Sequence, residues 1–187
     1  MSQRFEIGDA SLEGMKVLRR TVFQDERGSL ERLYAAGDLR DVTGGKPVVQ
    51  INLTRTRTRG TVRGMHYQIP PHAELKLITC VRGSVFDVVV DLRAGSPTLL
   101  AWHGQILSET DPTTLLVPEG FAHGFQALSD DCELLYLHTA NYEPSAEGGL
   151  NPRDPLVGIS WPEPISVLSE RDAAHPLLSV GYAGIVL

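Results

Sequence analysis

The feature that most constrains this chain is a recurrence of short apolar segments with two-residue alternation, cut at brief intervals by Gly, Pro, Asp and Asn. Strands are expected over residues 16–23, 29–34, 47–54, 61–68, 75–81, 84–92, 98–103, 114–117 and 133–139. Within the sixth of these, Phe86, Val88, Val90 and Leu92 fall on one face, and Asp87 and Asp91 fall on the other with Val85 and Val89. That pattern reads as a half-buried strand, polar on its second face. The step Val81-Arg82-Gly83-Ser84-Val85 joins two runs through one glycine, as a tight hairpin does. About nine strands at this spacing predict an all-β sandwich or barrel of jelly-roll type. Helical periodicity is weak, and Ser169-Glu170-Arg171-Asp172 is expected to form only a short helical turn that Pro176 stops. No repeat and no long linker interrupts the 187 residues, so residues 1–187 are expected to form one domain.

Charge and composition exclude several partners. The formal net charge is −6, with 23 acidic against 17 basic residues, so the whole chain lacks the positive field that draws proteins to nucleic acid or anionic lipid. An anion must be met locally. Arg55, Arg57 and Arg59 form a local cationic run of period two, read as a solvated face rather than an anion site. No apolar run reaches the ~18 residues of a membrane span, and residues 1–12 contain no secretory apolar core. A cytoplasmic protein is therefore the expectation. Cys80 and Cys132 lie in apolar stretches and are expected as reduced, buried thiols.

Two segments could carry chemistry. Gly60-Thr61-Val62-Arg63-Gly64-Met65-His66-Tyr67-Gln68, followed by Glu74, Lys76 and Gly83, resembles the first motif of cupins, and Pro118-Glu119-Gly120-Phe121-Ala122-His123 resembles the second. Metal-binding cupins use H-x-H, a downstream Glu and the second-motif His. Here Gln68 replaces one imidazole, and an amide suits Fe, Mn, Ni or Zn poorly, so His66, Glu74 and His123 make an incomplete ligand set and no metal is expected. A metal-dependent cupin oxygenase or isomerase and a non-catalytic sugar-nucleotide binder are the rival readings.

The longer context is narrower. Glu26-Arg27-Gly28, Gln50-Ile51-Asn52, Arg63-Gly64-Met65-His66-Tyr67-Gln68, Glu74-Leu75-Lys76, Ser96-Pro97-Thr98, the His123 segment, Tyr142-Glu143-Pro144, Ile159-Ser160-Trp161-Pro162 and Ser169-Glu170-Arg171-Asp172 together resemble the dTDP-4-dehydrorhamnose 3,5-epimerase family. The resemblance implies a cupin-type jelly roll with short C-terminal helical segments. It also implies a cofactor-free isomerase that takes a proton alpha to the C4 ketone of a nucleotide-linked 4-keto-6-deoxy sugar and returns one on the opposite face. Such chemistry needs a base, a cation at the enolate oxygen, and an acid across the ring.

By the resemblance, His66 is the base, Asp172 its orienting carboxylate, Lys76 the cation and Tyr136 the acid; Arg27, Glu31, Gln50, Asn52, Arg63, His123, Tyr142 and Arg171 bind substrate. Taken without it, His66 would be a structural histidine, Lys76 an exposed lysine on the outer face of its strand and Tyr136 a core aromatic. Alternation does place Lys76 with Ile78 and Cys80, which favours an inward lysine. His72, His103, His138 and His175 have no such match. The resemblance further implies a homodimer with exchanged N-terminal strands, the Arg27 segment being the donor. A C3-only or C5-only epimerase would use the same core residues.

Overall fold

The computed structural model describes residues 4–187. Among them the chain forms thirteen strands: β1 (Phe5–Asp9), β2 (Lys16–Arg20), β3 (Val22–Asp25), β4 (Gly28–Glu31), β5 (Gln50–Thr56), β6 (Val62–Gln68), β7 (Lys76–Arg82), β8 (Ser84–Asp91), β9 (Trp102–Ser108), β10 (Thr113–Val117), β11 (Phe121–Ala127), β12 (Cys132–His138) and β13 (Glu147–Gly149). One short helix, α1 (Glu170–Ala173), and a 3-10 turn at Pro144–Ala146 complete the list. A six-stranded sheet runs β1-β2-β10-β7-β12-β5, a five-stranded sheet runs β13-β6-β11-β8-β9, and β3 and β4 form a separate hairpin. Every strand pair is antiparallel. The two large sheets face each other as a jelly roll, as the strand spacing predicts.

Three apolar layers hold the sheets. Between them lie Met15, Ile78, Val85, Val89, Leu107, Leu115, Phe121, Phe125 and Leu134. Outside the six-stranded sheet, Leu39 closes over Leu18, Leu77, Leu116 and Leu137, with Tyr34, Val42 and Val48 beside it. Outside the five-stranded sheet, Val157, Trp161, Leu178, Tyr182 and Ile185 of the C-terminal region cover Met65, Val88, Val90 and Leu92. Each fully buried aliphatic of this kind contributes roughly 1.5–3 kcal/mol of transfer free energy.

This covering corrects the expectation for β8. Its Phe86–Val88–Val90 face packs outward under the C-terminal region, and its Asp87–Asp91 face points between the sheets, where both aspartates have 0% exposure. The face is polar yet not solvated. Gly83 does not turn a hairpin either, because β7 and β8 belong to different sheets. It is a corner at φ +73°, where a Cβ would meet Ser129 Oγ at 2.6 Å, so the step between layers requires glycine. The strand placed at 98–103 starts at Trp102, because residues 97–100 form the turn that follows β8. Strands β1, β11 and β13 had no alternation strong enough to single them out. The arginine run extends only to Arg55 in β5. Arg55 pairs with Glu133 at 3.2 Å and Arg59 with Glu163, so acidic neighbours rather than an anion meet these cations. Cys80 and Cys132 are free and buried, and burial pushes the Cys80 thiol up to about 12. Among the described residues no helix is long and apolar enough to cross a membrane.

Candidate active site

A cavity of about 340 Å³ opens between the sheets, lined from β5 by Gln50, Asn52 and Thr54, from β6 by Arg63 and His66, from β7 by Lys76, from β11 by His123 and Phe125, and from β12 by Tyr136 and His138. Alternation explains most of the lining: Gln50, Asn52 and Thr54 share one face of β5, as Tyr136 and His138 share one face of β12. Arg63 and His66 are three apart and would face opposite ways in a regular strand. They meet because His66 pairs with His123 and Arg63 with Phe125, so β6 carries one residue more than β11 over this stretch. Gly64 lies at this bulge with φ +123°, and a Cβ there would come within 2.6 Å of Gly124 Cα. Only glycine lets the two backbones approach so closely.

Three histidine–carboxylate pairs surround the cavity. His66 Nε2 lies 2.8 Å from Asp172 Oδ1, and Asp172 Oδ2 accepts from the Gly64 N–H at 3.2 Å. Ser169 caps α1 by accepting from the Asp172 N–H at 3.0 Å, and a parallel bridge between Val62 and Leu168 docks the segment on β6. Burial opposes charge on Asp172, but the hydrogen bonds and the neighbouring imidazole outweigh it and hold the carboxyl below its ordinary range. His123 Nε2 lies 2.8 Å from Asp87 Oδ2, and both residues are buried. His138 Nδ1 lies 2.7 Å from Glu74 Oε2.

Lys76 is buried, as its strand companions predict. Its ammonium donates to the His66 carbonyl at 3.2 Å and pairs with Glu74 at 3.2 Å. Burial works against the Glu74 charge, but the bonds to His138 and Lys76 prevail and lower its pKa. Tyr136 is stacked between two imidazoles, edge-on to His123 at 5.7 Å and nearly parallel to His138 at 6.0 Å. Burial, reinforced by the Asp87 charge, pushes its phenol far above the ordinary value and keeps it protonated.

At the rim, the Tyr142 hydroxyl donates to Glu147 at 2.7 Å and its backbone N–H to Gln50 Oε1 at 3.0 Å. Arg171 pairs with the same Glu147 beside the cavity rather than lining it. Arg27 and Glu31 stand apart from it. They belong to the β3–β4 hairpin region, where Arg27 is exposed and paired with Asp25, and Glu31 holds the buried Arg20 at 2.7 Å. Within one chain, then, the structure brings His66, Asp172, Lys76, Tyr136, Gln50, Asn52, Arg63, His123 and Tyr142 together, places Arg171 alongside, and leaves Arg27 and Glu31 outside.

Residues that sequence reasoning passed over also belong here. Alternation put Asp87 on one face with Val85 and Val89 without saying that the face was interior, and His138 stands two residues from Tyr136 on β12. His175 packs edge-on against His66 at 6.2 Å, contacts that no local pattern announces. The donors that a metal cupin would use are each committed elsewhere: His66 to Asp172, His123 to Asp87, and Glu74 to His138 and Lys76. A cation as close as the Lys76 ammonium also disfavours a second positive ion.

Comparison with known proteins agrees with this architecture. The family model described as dTDP-4-dehydrorhamnose 3,5-epimerase matches residues 9–179. The dTDP-4-dehydrorhamnose 3,5-epimerase of Streptomyces griseus is 41% identical over 168 residues, spanning 89% of this chain and 83% of that protein. The dTDP-4-dehydrorhamnose 3-epimerase of Streptomyces niveus is 44% identical over 137 residues, 72% of this chain and 66% of that one. Among solved structures, dTDP-6-deoxy-D-glucose-3,5-epimerase from Legionella pneumophila in complex with dTDP-4-keto-L-rhamnose superposes with a TM-score of 0.87 at 36% identity, covering 92% of each chain. With a cupin-type jelly roll, a cavity of this composition and matches that run through nearly its whole length, the chain belongs to the dTDP-4-dehydrorhamnose 3,5-epimerase family.

Proposed function

We propose that the protein is a cofactor-free isomerase that converts dTDP-4-dehydro-6-deoxy-D-glucose to dTDP-4-dehydro-L-rhamnose by inversion at C3 and C5. The observation that carries this reading is the convergence of the His66–Asp172 pair, Lys76 and Tyr136 on one cavity. A ketone acidifies the adjacent C–H bonds. Because His66 Nε2 is committed to Asp172, the proton is taken at Nδ1, and the Asp172 carboxylate stabilises the imidazolium that results. The electron pair moves onto the C4 oxygen as an enolate. Lys76, already oriented by two acceptors, faces that oxygen; a unit charge pair 4 Å apart at an effective dielectric constant near 20 interacts by about 4 kcal/mol. Tyr136 then breaks its O–H bond to form a C–H bond on the opposite face.

Arg63 supplies a guanidinium fork for the diphosphate, and Gln50, Asn52, His123, Tyr142 and Arg171 contact the sugar and nucleotide. The reading takes residues 1–187 as one cupin-type unit working in the cytoplasm as a homodimer. Arg27 and Glu31, exposed or facing away in one chain, reach the site through the exchanged N-terminal strands of a second copy. The similarity to a 3-epimerase motivates a second reading, inversion at C3 alone.

Incubation with dTDP-4-dehydro-6-deoxy-D-glucose in deuterated water tests both. Exchange at C3 and C5 with formation of the L-rhamno product is expected. Exchange confined to C3 selects the second reading, and no exchange with a panel of keto-sugar nucleotides would overturn both.

A further inference from the structure

His138 is a buried imidazole that neither the family resemblance nor the proton transfers described above employ. It projects from β12 on the same face as Tyr136, two residues away, and its ring lies 16° from parallel to the phenol at 6.0 Å. Its Nδ1 is fixed by Glu74, a carboxylate that also holds Lys76, so Glu74 stands ionised between two donors. Its Nε2 meets the Asn52 amide at 3.4 Å. The ring is thereby held at both nitrogens, with a carboxylate on one of them.

The need for positive charge beside this ring comes from Tyr136. When its O–H bond breaks and the C–H bond forms, one negative charge appears on a ring whose other neighbours include the buried Asp87 carboxylate, one of whose oxygens has no hydrogen-bond partner among the described residues. Arg63 offsets this charge only in part, and Thr54 adds one hydrogen bond. We propose that His138, held by Glu74, is a positioning residue that supplies the positive charge over the Tyr136 ring when the phenolate forms. The inference rests on Tyr136 being the acid of the proposed reaction.

Two signals separate it from a packing role: epimerised product, which requires Tyr136, and deuterium entering recovered substrate, which requires only His66. In H138Q and H138F the ratio of product to exchanged substrate is expected to fall about tenfold, the scale of a cation over an aromatic face. H138K restores charge without the imidazole and is expected to recover most of that ratio. Equal loss of both signals, a parent-like ratio in H138F, or no greater recovery in H138K than in H138F would each overturn the proposal. Y136F, assayed beside them, isolates the underlying reading: parent-like epimerisation by Y136F would remove Tyr136 as the acid, whatever the His138 variants do.

Discussion

Asp87 and Asp91 occupy one face of β8, both at 0% exposure, and their surroundings are opposite. Asp91 Oδ1 accepts from the Arg93 backbone N–H at 3.0 Å and from Nε at 2.9 Å; its Oδ2 accepts from Arg93 Nη2 at 2.7 Å, Ser96 Oγ at 2.5 Å and Thr98 Oγ1 at 2.6 Å. Burial raises the cost of this charge, yet those bonds bring its pKa down to about 2. Asp87 has one partner, His123, and an oxygen left unpaired among the described residues. A buried carboxylate with saturated oxygens builds a turn. One left incompletely satisfied keeps its field available to the groups around it, here His123 and Tyr136.

Three substitutions and one titration can break that contrast. Asp172, whose bonding lies between the two extremes, sets the upper limit: Asp172→Asn removes the charge that steadies the His66 imidazolium, and turnover is expected to fall about a thousandfold in steady-state assays. Asp87→Asn takes the charge from the His123 partner, an effect expected to outweigh the relief of Tyr136 and to lower turnover about tenfold, with a change in unfolding free energy below about 1 kcal/mol because few bonds are lost. Asp91→Asn is expected to do the reverse, costing about 2 kcal/mol in urea unfolding while turnover stays within about twofold. Equal stability losses in the two β8 variants would erase the distinction.

The smallest effect is pH dependence. Asp91 has a folded pKa below the ordinary carboxylate value of 3.8, so its contribution is fully present above that value and is lost as pH falls toward about 2. Urea midpoints compared at pH 6 and pH 3 should therefore drop less in Asp91→Asn than in the parent.

The same two residues show how far the sequence could be read. Alternation in Val85–Leu92 correctly put both aspartates on one face with Val85 and Val89. It could not say that this face was interior, because a polar inner face and a solvated outer face share one pattern. Likewise the Gly83 signal marked a sharp turn, while the choice between a hairpin and a passage to the facing sheet depends on which strands pair, a long-range matter. The resemblance supplied His66, Lys76, Tyr136 and Asp172, and the structure gathers all four at the cavity or against it. Asp87, His138 and His175 stayed hidden because their partners, His123, Glu74 and His66, are remote in the chain and carry no local spacing.

Asp172 meets His66 across 106 positions of sequence, delivered by a segment that β6 must already be in place to receive. A polypeptide emerging from the ribosome would thus possess the cavity walls, Lys76 and Tyr136 before it acquires the carboxylate that holds His66. The contact that orients His66 therefore forms only after residues 168–172 have been made, and a copy that stops short of them would carry an imidazole with nothing to steady it.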